Sequence, residues 1–349
     1  MVTFESILIA IAGTLLAILF LRPISARLNL IDLPNSRKQH VGAIPLIGGI
    51  SIFSGVLLSA LFTLPQDPVL LVLLFCGFGI VFLGAIDDAK DISPWFRLGV
   101  QALLILVVCK ATGVTLHHFG NIFGFGNISV RWLDIVITVI AICGAINAYN
   151  MMDGIDGLAG CMAMISFLGL AILFHENMPL MADLSQIFIL ALLPYLFFNL
   201  TVPPVTGKIF LGDAGSMLLG FIIGFMVVYG SQNTSIELAF RPVTALWIIG
   251  LPLMDMVGIM IRRIRKGLSP LRPDRNHLHH ILLHAGFSPK QSLLIMSIVS
   301  SLMMTVGVIG EFEQWSELFM MFLFVFVFFL YCFGLQHAWL LGRWVKSFQ

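Results

Sequence analysis

Eleven apolar runs, each about long enough to carry a helix across a bilayer, leave this 349-residue chain little choice but a bundle of membrane helices. Their approximate limits are residues 4–21, 44–64, 69–86, 98–115, 132–149, 158–174, 185–202, 214–230, 242–261, 291–310 and 318–341. Breakers mark the joins: Pro65 and Pro68, Gly124 and Gly126, Pro203 and Pro204, Pro270 and Pro273. Only 11% of the residues are charged, against about 25% in a soluble domain. No polar stretch is long enough for a separate soluble domain, so residues 1–349 read as one membrane domain, with 262–290 as a basic loop inside it. The first run has no basic residue before it and no small-x-small cleavage site, so it reads as a retained span rather than a signal peptide. The five cysteines, Cys76, Cys109, Cys143, Cys161 and Cys332, fall in apolar stretches without paired spacing, which argues against disulfides and a thiolate metal site. A net charge of +1 gives no sign of a nucleic-acid partner.

The loops between runs fall into two alternating sets. Sixteen of the nineteen lysines and arginines lie in one set, and the other holds only Lys110, Arg131 and Arg241. By the positive-inside rule the first set is cytoplasmic. The expected fold is therefore an all-α polytopic membrane protein of about eleven transmembrane helices, N-terminus outside and C-terminus inside. All six glutamates lie near the outer side, whereas nine of the twelve aspartates lie at the inner side or at inner span ends. Acids placed only for solubility would mix the two types. A short carboxylate with few rotamers suits a preorganised site.

The inner aspartates form three clusters. Asp87, Asp88 and Asp91 end the third run. If the helix continues, Asp87 and Asp91 share a face. Adjacent carboxylates repel unless a cation compensates, and at a helix C-terminus the macrodipole opposes them, which favours a functional reading over a polar helix end. Asn147, Asn150, Asp153 and Asp156 recur every three residues along one side of a helix end, with Gly154 and Gly157 between. Their oxygens are hard ligands of the kind Mg²⁺ takes, with water and substrate phosphate completing the shell. An Asx-rich turn is the plainer alternative. Phe210-Leu-Gly-Asp213-Ala-Gly-Ser216 opens the eighth run, where Asp213 is either an N-cap with Ser216 at N3 or a metal ligand.

Two inner loops carry the cations. Topology alone explains Arg262, Arg263, Arg265 and Lys266, but it does not explain His277, His279 and His280, which follow Arg272 and Arg275. His277 and His280 have a spacing that Zn²⁺ can use, yet no cysteine or apolar burial accompanies them, and phosphate binding by arginine forks with histidine donors fits better. The first inner loop holds Arg37, Lys38 and His40 before Gly48-Gly49, and serves either orientation or contact with an anionic headgroup. Asp255, an acid inside an apolar run, is expected either to pair with an arginine such as Arg262 or to serve the site.

Taken in order, Pro-Asn-x-Arg-Lys-x-His, Gly-Gly, Asp-Asp-x-x-Asp, Asn-x-x-Asn-x-x-Asp-Gly-x-Asp-Gly, Gly-Asp-x-Gly-Ser, Pro-x-x-Asp and His-x-His-His resemble the polyprenyl-phosphate N-acetylhexosamine-1-phosphate transferase superfamily over about residues 30–290. The segment from Arg272 to His280 is similar to the branch that transfers GlcNAc-1-phosphate to undecaprenyl phosphate. That resemblance implies eleven spans in the bacterial inner membrane, an active site facing the cytoplasm, and transfer from UDP-GlcNAc to undecaprenyl phosphate with release of UMP. It implies Mg²⁺, for which Mn²⁺ can substitute, held by Asp213 and Asn150 with Asp153 close by. Asp87 and Asp88 would act on the lipid phosphate as base or positioning groups, with Asp91 completing their motif. Asp156 and Phe210 fall at uridine-contacting positions. Arg272, Arg275, His277, His279 and His280 would hold the diphosphate and sugar, and Arg37, Lys38 and His40 are further substrate-binding candidates. The product would initiate a lipid-linked cell-surface polysaccharide such as O antigen. A homodimer, and transfer of another UDP-N-acetylhexosamine, are left open. An ion-coupled transporter would want acids near mid-membrane and a repeated half-fold, and an intramembrane aspartyl protease would want two aspartates within spans and no histidine loop.

Overall fold

A computed structural model describes residues 2–33, 42–201, 207–233, 237–269 and 277–336. Among them thirteen helices follow in order: α1 (Phe4–Ile24), α2 (Gly48–Thr63), α3 (Pro68–Lys90), α4 (Pro94–Thr112), α5 (Asp134–Met152), α6 (Leu158–Phe174), α7 (Pro179–Asn199), α8 (Gly212–Gln232), α9 (Pro242–Ile248), α10 (Gly250–Arg265), α11 (Leu278–His284), α12 (Pro289–Phe312) and α13 (Glu317–Gln336). A two-stranded antiparallel ribbon, β1 (Ile31–Asp32) and β2 (Ile44–Pro45), is the only sheet among the described residues. Several starts follow one local rule. Asp67, Ser93 and Ser288 cap α3, α4 and α12 with side-chain oxygens, and each is followed by a proline at the first helical position, where no N–H is needed.

Among the described residues eight helices are long and apolar enough to cross a membrane, or nine when α9 and α10 count as one bent span. The remaining apolar helices, α2 and α6, have 16 and 17 residues. The run predicted as one span over 242–261 is broken at Ile249, where α9 and α10 meet at 85°. Pro252 accounts for the break, since it donates no hydrogen bond and its ring displaces the carbonyl four residues back, that of Ile248. A freed carbonyl in a membrane needs another donor. Ser166 of α6 supplies it, Oγ to Ile248 O at 2.8 Å, and in turn accepts from the Tyr149 hydroxyl of α5 at 2.6 Å.

The centre of the bundle is α8, whose spanning window is wholly buried. It is apolar on all sides and packs against α2, α3 and α5. Small residues let the backbones meet, which substitutes for the hydrophobic drive that lipid removes. A Cβ on Gly49 of α2 would come 2.1 Å from the Gly215 nitrogen, and one on Gly84 of α3 would come 2.4 Å from the Ala214 backbone. Gly48 and Gly49 are therefore packing residues: both are buried, and their N–H groups donate to the Phe210 and Leu211 carbonyls at 2.9 Å each. The segment before α8 runs beside β2, with Phe210 N donating to Pro45 O at 2.8 Å. Facing outward, Phe75, Phe78 and Phe82 of α3 and Phe322, Phe326 and Phe329 of α13 are exposed, as a lipid-facing surface requires.

Candidate active site

The first turn of α8 gathers the aspartate clusters. Asp88 of α3 accepts from the backbone N–H groups of Asp213 (2.9 Å) and Ala214 (3.2 Å). Those are donors that a helix start leaves without partners, and the residue at the N-cap position, Leu211, offers no side-chain bond. Asp213 is thus not the N-cap that the sequence allowed. Asp88, from another helix, does the capping, and Ser216 bonds the Gly212 carbonyl at 3.2 Å. Gly212 fits this arrangement, because its φ is +74° and a Cβ there would strike the Asp88 carboxylate.

Asp87, buried, is fully engaged. It accepts from Arg97 Nη1 of α4 at 2.8 Å and from Ile92 N at 3.0 Å. Helix α3 stops at Lys90, and Asp91 adopts a left-handed conformation at φ +51°, exposed. The two acids therefore do not share a helical face as a continuing helix would have made them.

Asn150 of α5 reaches Asp213 directly, its Nδ2 donating to Asp213 Oδ1 at 2.6 Å and to Ser216 Oγ at 3.0 Å. Asn147 turns back onto its own helix, donating to the Cys143 carbonyl at 2.8 Å. Asp153, in the turn after α5, is an exposed residue whose carboxyl approaches other acids. Loss of hydration, then the Asp213 and Asp156 carboxylates, push it up to about 7. Asp213 and Asp153 also lie within electrostatic reach of Asp88. Among the described residues, Asp88, Asp153 and Asp213 have no ion-pair partner. Nor do any three His, Cys, Asp or Glu side chains there converge to cage a metal by themselves. A Mg²⁺ ion needs fewer protein ligands, since it keeps its waters and takes phosphate oxygens beside one or two carboxylates. The uncompensated hard oxygens here fit that requirement.

Asp156 and Phe210, paired in the sequence reading, are brought together by a residue that reading used only for topology. Lys208 Nζ lies 2.5 Å from Asp156 Oδ2 and 5.2 Å from the centre of the Phe210 ring, a cation–π contact. A cavity of about 420 Å³ opens beside Lys208, bounded also by Arg22, Ile44, Pro45 and Gly207. A second, of about 480 Å³ near His175 and Glu176, lies at the opposite end of α6 from Asp156.

The histidines arrive from α11. Asp255, fully buried in α10, pairs with His277 Nδ1 at 2.8 Å and not with Arg262. It also accepts from Leu278 N at 3.0 Å and from the Tyr331 hydroxyl of α13 at 2.5 Å. His279 is buried, contrary to the sequence picture of an open loop, because Leu278 and Leu282 carry α11 onto the bundle. Its ring stacks at 5.6 Å on His277 and lies over Gly154, where a Cβ would come 2.1 Å from Nε2. Both His279 ring nitrogens lack a hydrogen-bond partner among the described residues. Burial, then the neighbouring His280 and His277, push its pKa down to about 3, so the ring is neutral. A buried neutral imidazole with two unused nitrogens, facing the Asp153 turn, points to a ligand. His280 is half-buried beside it, 4.2 Å between ring centres. Arg37, Lys38, His40, Arg272 and Arg275 lie outside the described residues.

Known proteins decide the family. Residues 70–231 match glycosyl transferase family 4, a stretch from α3 to α8 that contains every aspartate around the α8 start. The undecaprenyl-phosphate α-N-acetylglucosaminyl 1-phosphate transferase of Haemophilus influenzae is 41% identical over 346 residues, 99% of this chain and 97% of that protein. Those of Yersinia pestis and Escherichia coli K12 are 39% and 38% identical, over 96% and 95% of this chain and 92% and 91% of theirs. The chain belongs to the undecaprenyl-phosphate GlcNAc-1-phosphate transferase family. The resemblance drawn from the ordered motifs is thereby borne out. Within this family member the Asp153–Asp156 turn joins the other groups: it lies within electrostatic reach of Asp213 of α8, pairs with Lys208 and packs against His279.

Proposed function

We propose that this enzyme transfers GlcNAc-1-phosphate from UDP-GlcNAc to undecaprenyl phosphate, releasing UMP, at the cytoplasmic face of the bacterial inner membrane. The observation that carries the reading is the set of carboxylates without an ion-pair partner among the described residues, Asp88, Asp153 and Asp213, gathered with Asn150 at the positive end of α8. Two anionic substrates have to meet there without repelling one another. Mg²⁺, held by Asp213 and Asn150 with Asp153 close by, would supply charge neutralisation on the diphosphate. An oxygen of the lipid phosphate forms the new bond to the β-phosphorus, the bond from that phosphorus to the bridging oxygen breaks, and UMP leaves with the electron pair.

The protein's own groups position this exchange. Asn150 orients Asp213, Asp88 fixes the helix start that carries it, and Arg97 holds Asp87. The second pKa of a phosphate monoester is about 6, so the acceptor is largely ionised at neutral pH and needs no strong base. Lys208, Asp156 and Phe210 receive the nucleotide, while the neutral His279 donates one ring N–H to the diphosphate or sugar. Eleven crossings, with the N-terminus outside and the C-terminus inside, place these groups at the cytoplasmic surface, as the positive-inside bias of the loops supports.

Membranes containing the protein, incubated with labelled UDP-GlcNAc and undecaprenyl phosphate, should form a labelled lipid. Chelation should stop that formation, and Mg²⁺ or Mn²⁺ should restore it. Absence of lipid label with or without metal would overturn the reading.

A further inference from the structure

A buried amide at the end of α7 joins the two chain segments that carry the nucleotide end of the site. Asn199 is 2% exposed. Its Oδ1 accepts from Gly157 N at 2.5 Å, and its Nδ2 donates to the Ile209 carbonyl at 2.8 Å. Gly157 closes the turn that bears Asp153 and Asp156, and its φ of +75° admits glycine readily. Ile209 stands between Lys208 and Phe210. One planar group therefore sets how far Asp156 lies from Lys208 and Phe210, without itself reaching either side chain.

The chemistry of the two partners selects asparagine. Gly157 offers a donor and Ile209 an acceptor, so the side chain between them has to accept on one side and donate on the other. Ionised aspartate, the same size, only accepts and would face the Ile209 carbonyl with a negative oxygen. Leucine satisfies neither partner and leaves both buried and unpaired. Protonated aspartic acid accepts with one oxygen and donates with the other, restoring the asparagine pattern.

We propose that Asn199 is the positioning residue that holds the Asp156 turn and the Lys208–Phe210 segment at the spacing the uridine nucleotide requires. The inference rests on the reading of these residues as the nucleotide end of the site. It predicts a loss confined to the nucleotide, with acceptor use unchanged. Asn199→Leu should weaken UMP affinity and donor kcat/KM on the order of 5–150-fold at every pH, the range that unpaired buried partners imply. Asn199→Asp should show the same loss at pH 8–9 and recover toward the parent as pH falls, because protonation restores the donor that the Ile209 carbonyl needs. Lys208, Tyr195 on the same helix and Cys161 on α6 are the other titratable groups around this junction. The Asn199→Asp result is therefore read as a ratio to the parent at each pH, which cancels their titration.

The experiment is a titration of the purified full-length protein and both variants with UMP, from pH 5.5 to 9, together with KM for UDP-GlcNAc and for undecaprenyl phosphate. The expected result is an Asn199→Asp to parent ratio of UMP affinity that climbs toward acid, beside a flat, low ratio for Asn199→Leu and an unchanged acceptor KM. Acid recovery also separates positioning from misfolding, which protonation of one side chain would not repair, so the test survives if Asn199→Leu fails to fold. A flat Asn199→Asp ratio, parental UMP affinity in the variants, or a loss confined to the lipid acceptor would overturn the inference. Failure of the parent to label lipid while it still binds UMP would sink the transfer reaction alone, and failure of the parent to bind UMP would sink both.

Discussion

Replacing His279 by leucine separates the cost of a binding group from its use. In the free protein the imidazole is buried with both nitrogens unpaired among the described residues. An unpaired buried polar group costs about 1–3 kcal/mol. Leucine fills similar space and carries no such cost, so the free variant should melt no lower than the parent. The acid side strengthens the contrast. In the folded chain His279 stays neutral down to about pH 3, whereas an unfolded histidine takes a proton near 6.5. Between those values the unfolded state binds the extra proton, so His279 costs the parent stability as pH falls. The melting-temperature gap in favour of His279→Leu should widen from pH 7 toward pH 4, as differential scanning fluorimetry of the detergent-solubilised protein would record. Function should move the other way. A hydrogen bond to a charged group contributes about 1.5–3 kcal/mol, so donor kcat/KM should fall by about 10–150-fold. A variant that melts several degrees lower with parental donor kinetics would make His279 a packing residue. A change confined to the lipid acceptor would place this loop against the wrong substrate.

Other substitutions test the frame of the site. Asp88→Asn keeps one acceptor for the two N–H groups at the start of α8 and should melt between the parent and Asp88→Ala, which strands both the Asp213 and Ala214 N–H groups at about 1–3 kcal/mol each; equal melting temperatures for the two variants would refute the capping role. Tyr331→Phe removes one donor from Asp255 and loosens His277, so KM for UDP-GlcNAc should rise by about tenfold, the scale of a bond to a charged group; an unchanged KM would show that the Leu278 and His277 contacts suffice. Gly84→Val should abolish recovery of monodisperse protein, because the α3 and α8 backbones meet there, while Gly99→Ala, with open space around it, should be harmless; gel filtration of both tests this packing.

The membrane bundle was legible because bilayer thickness imposes a length on every apolar run, and among the described residues each run carries a helix, with 242–261 split into two. The break at Ile249 was not read, although Pro252 lay in plain view. Its outcome depends on whether a distant donor satisfies the freed carbonyl, and Ser166 lies 82 residues away. The aspartate clusters stood out by type and side, yet their division of labour rests on contacts across the fold. Asp88 meets a helix start 125 residues later, which no local spacing encodes. Asp255 found its partner 22 residues on rather than one helical face away. Lys208 and Asn199 were missed for different reasons. Lys208 counted only as an inner-face cation, although its place two residues before Phe210 was a usable signal. Asn199 was a polar residue inside an apolar run, which in lipid deserves the same suspicion as an acid.

Isotopic tracing through the two donor phosphates tests the central claim most directly. With UDP-GlcNAc labelled at the β-phosphate in one sample and at the α-phosphate in another, the account predicts that β label enters the undecaprenyl lipid together with GlcNAc, while α label leaves as UMP. Entry of GlcNAc into lipid without the β-phosphate label, or release of UDP in place of UMP, would contradict it.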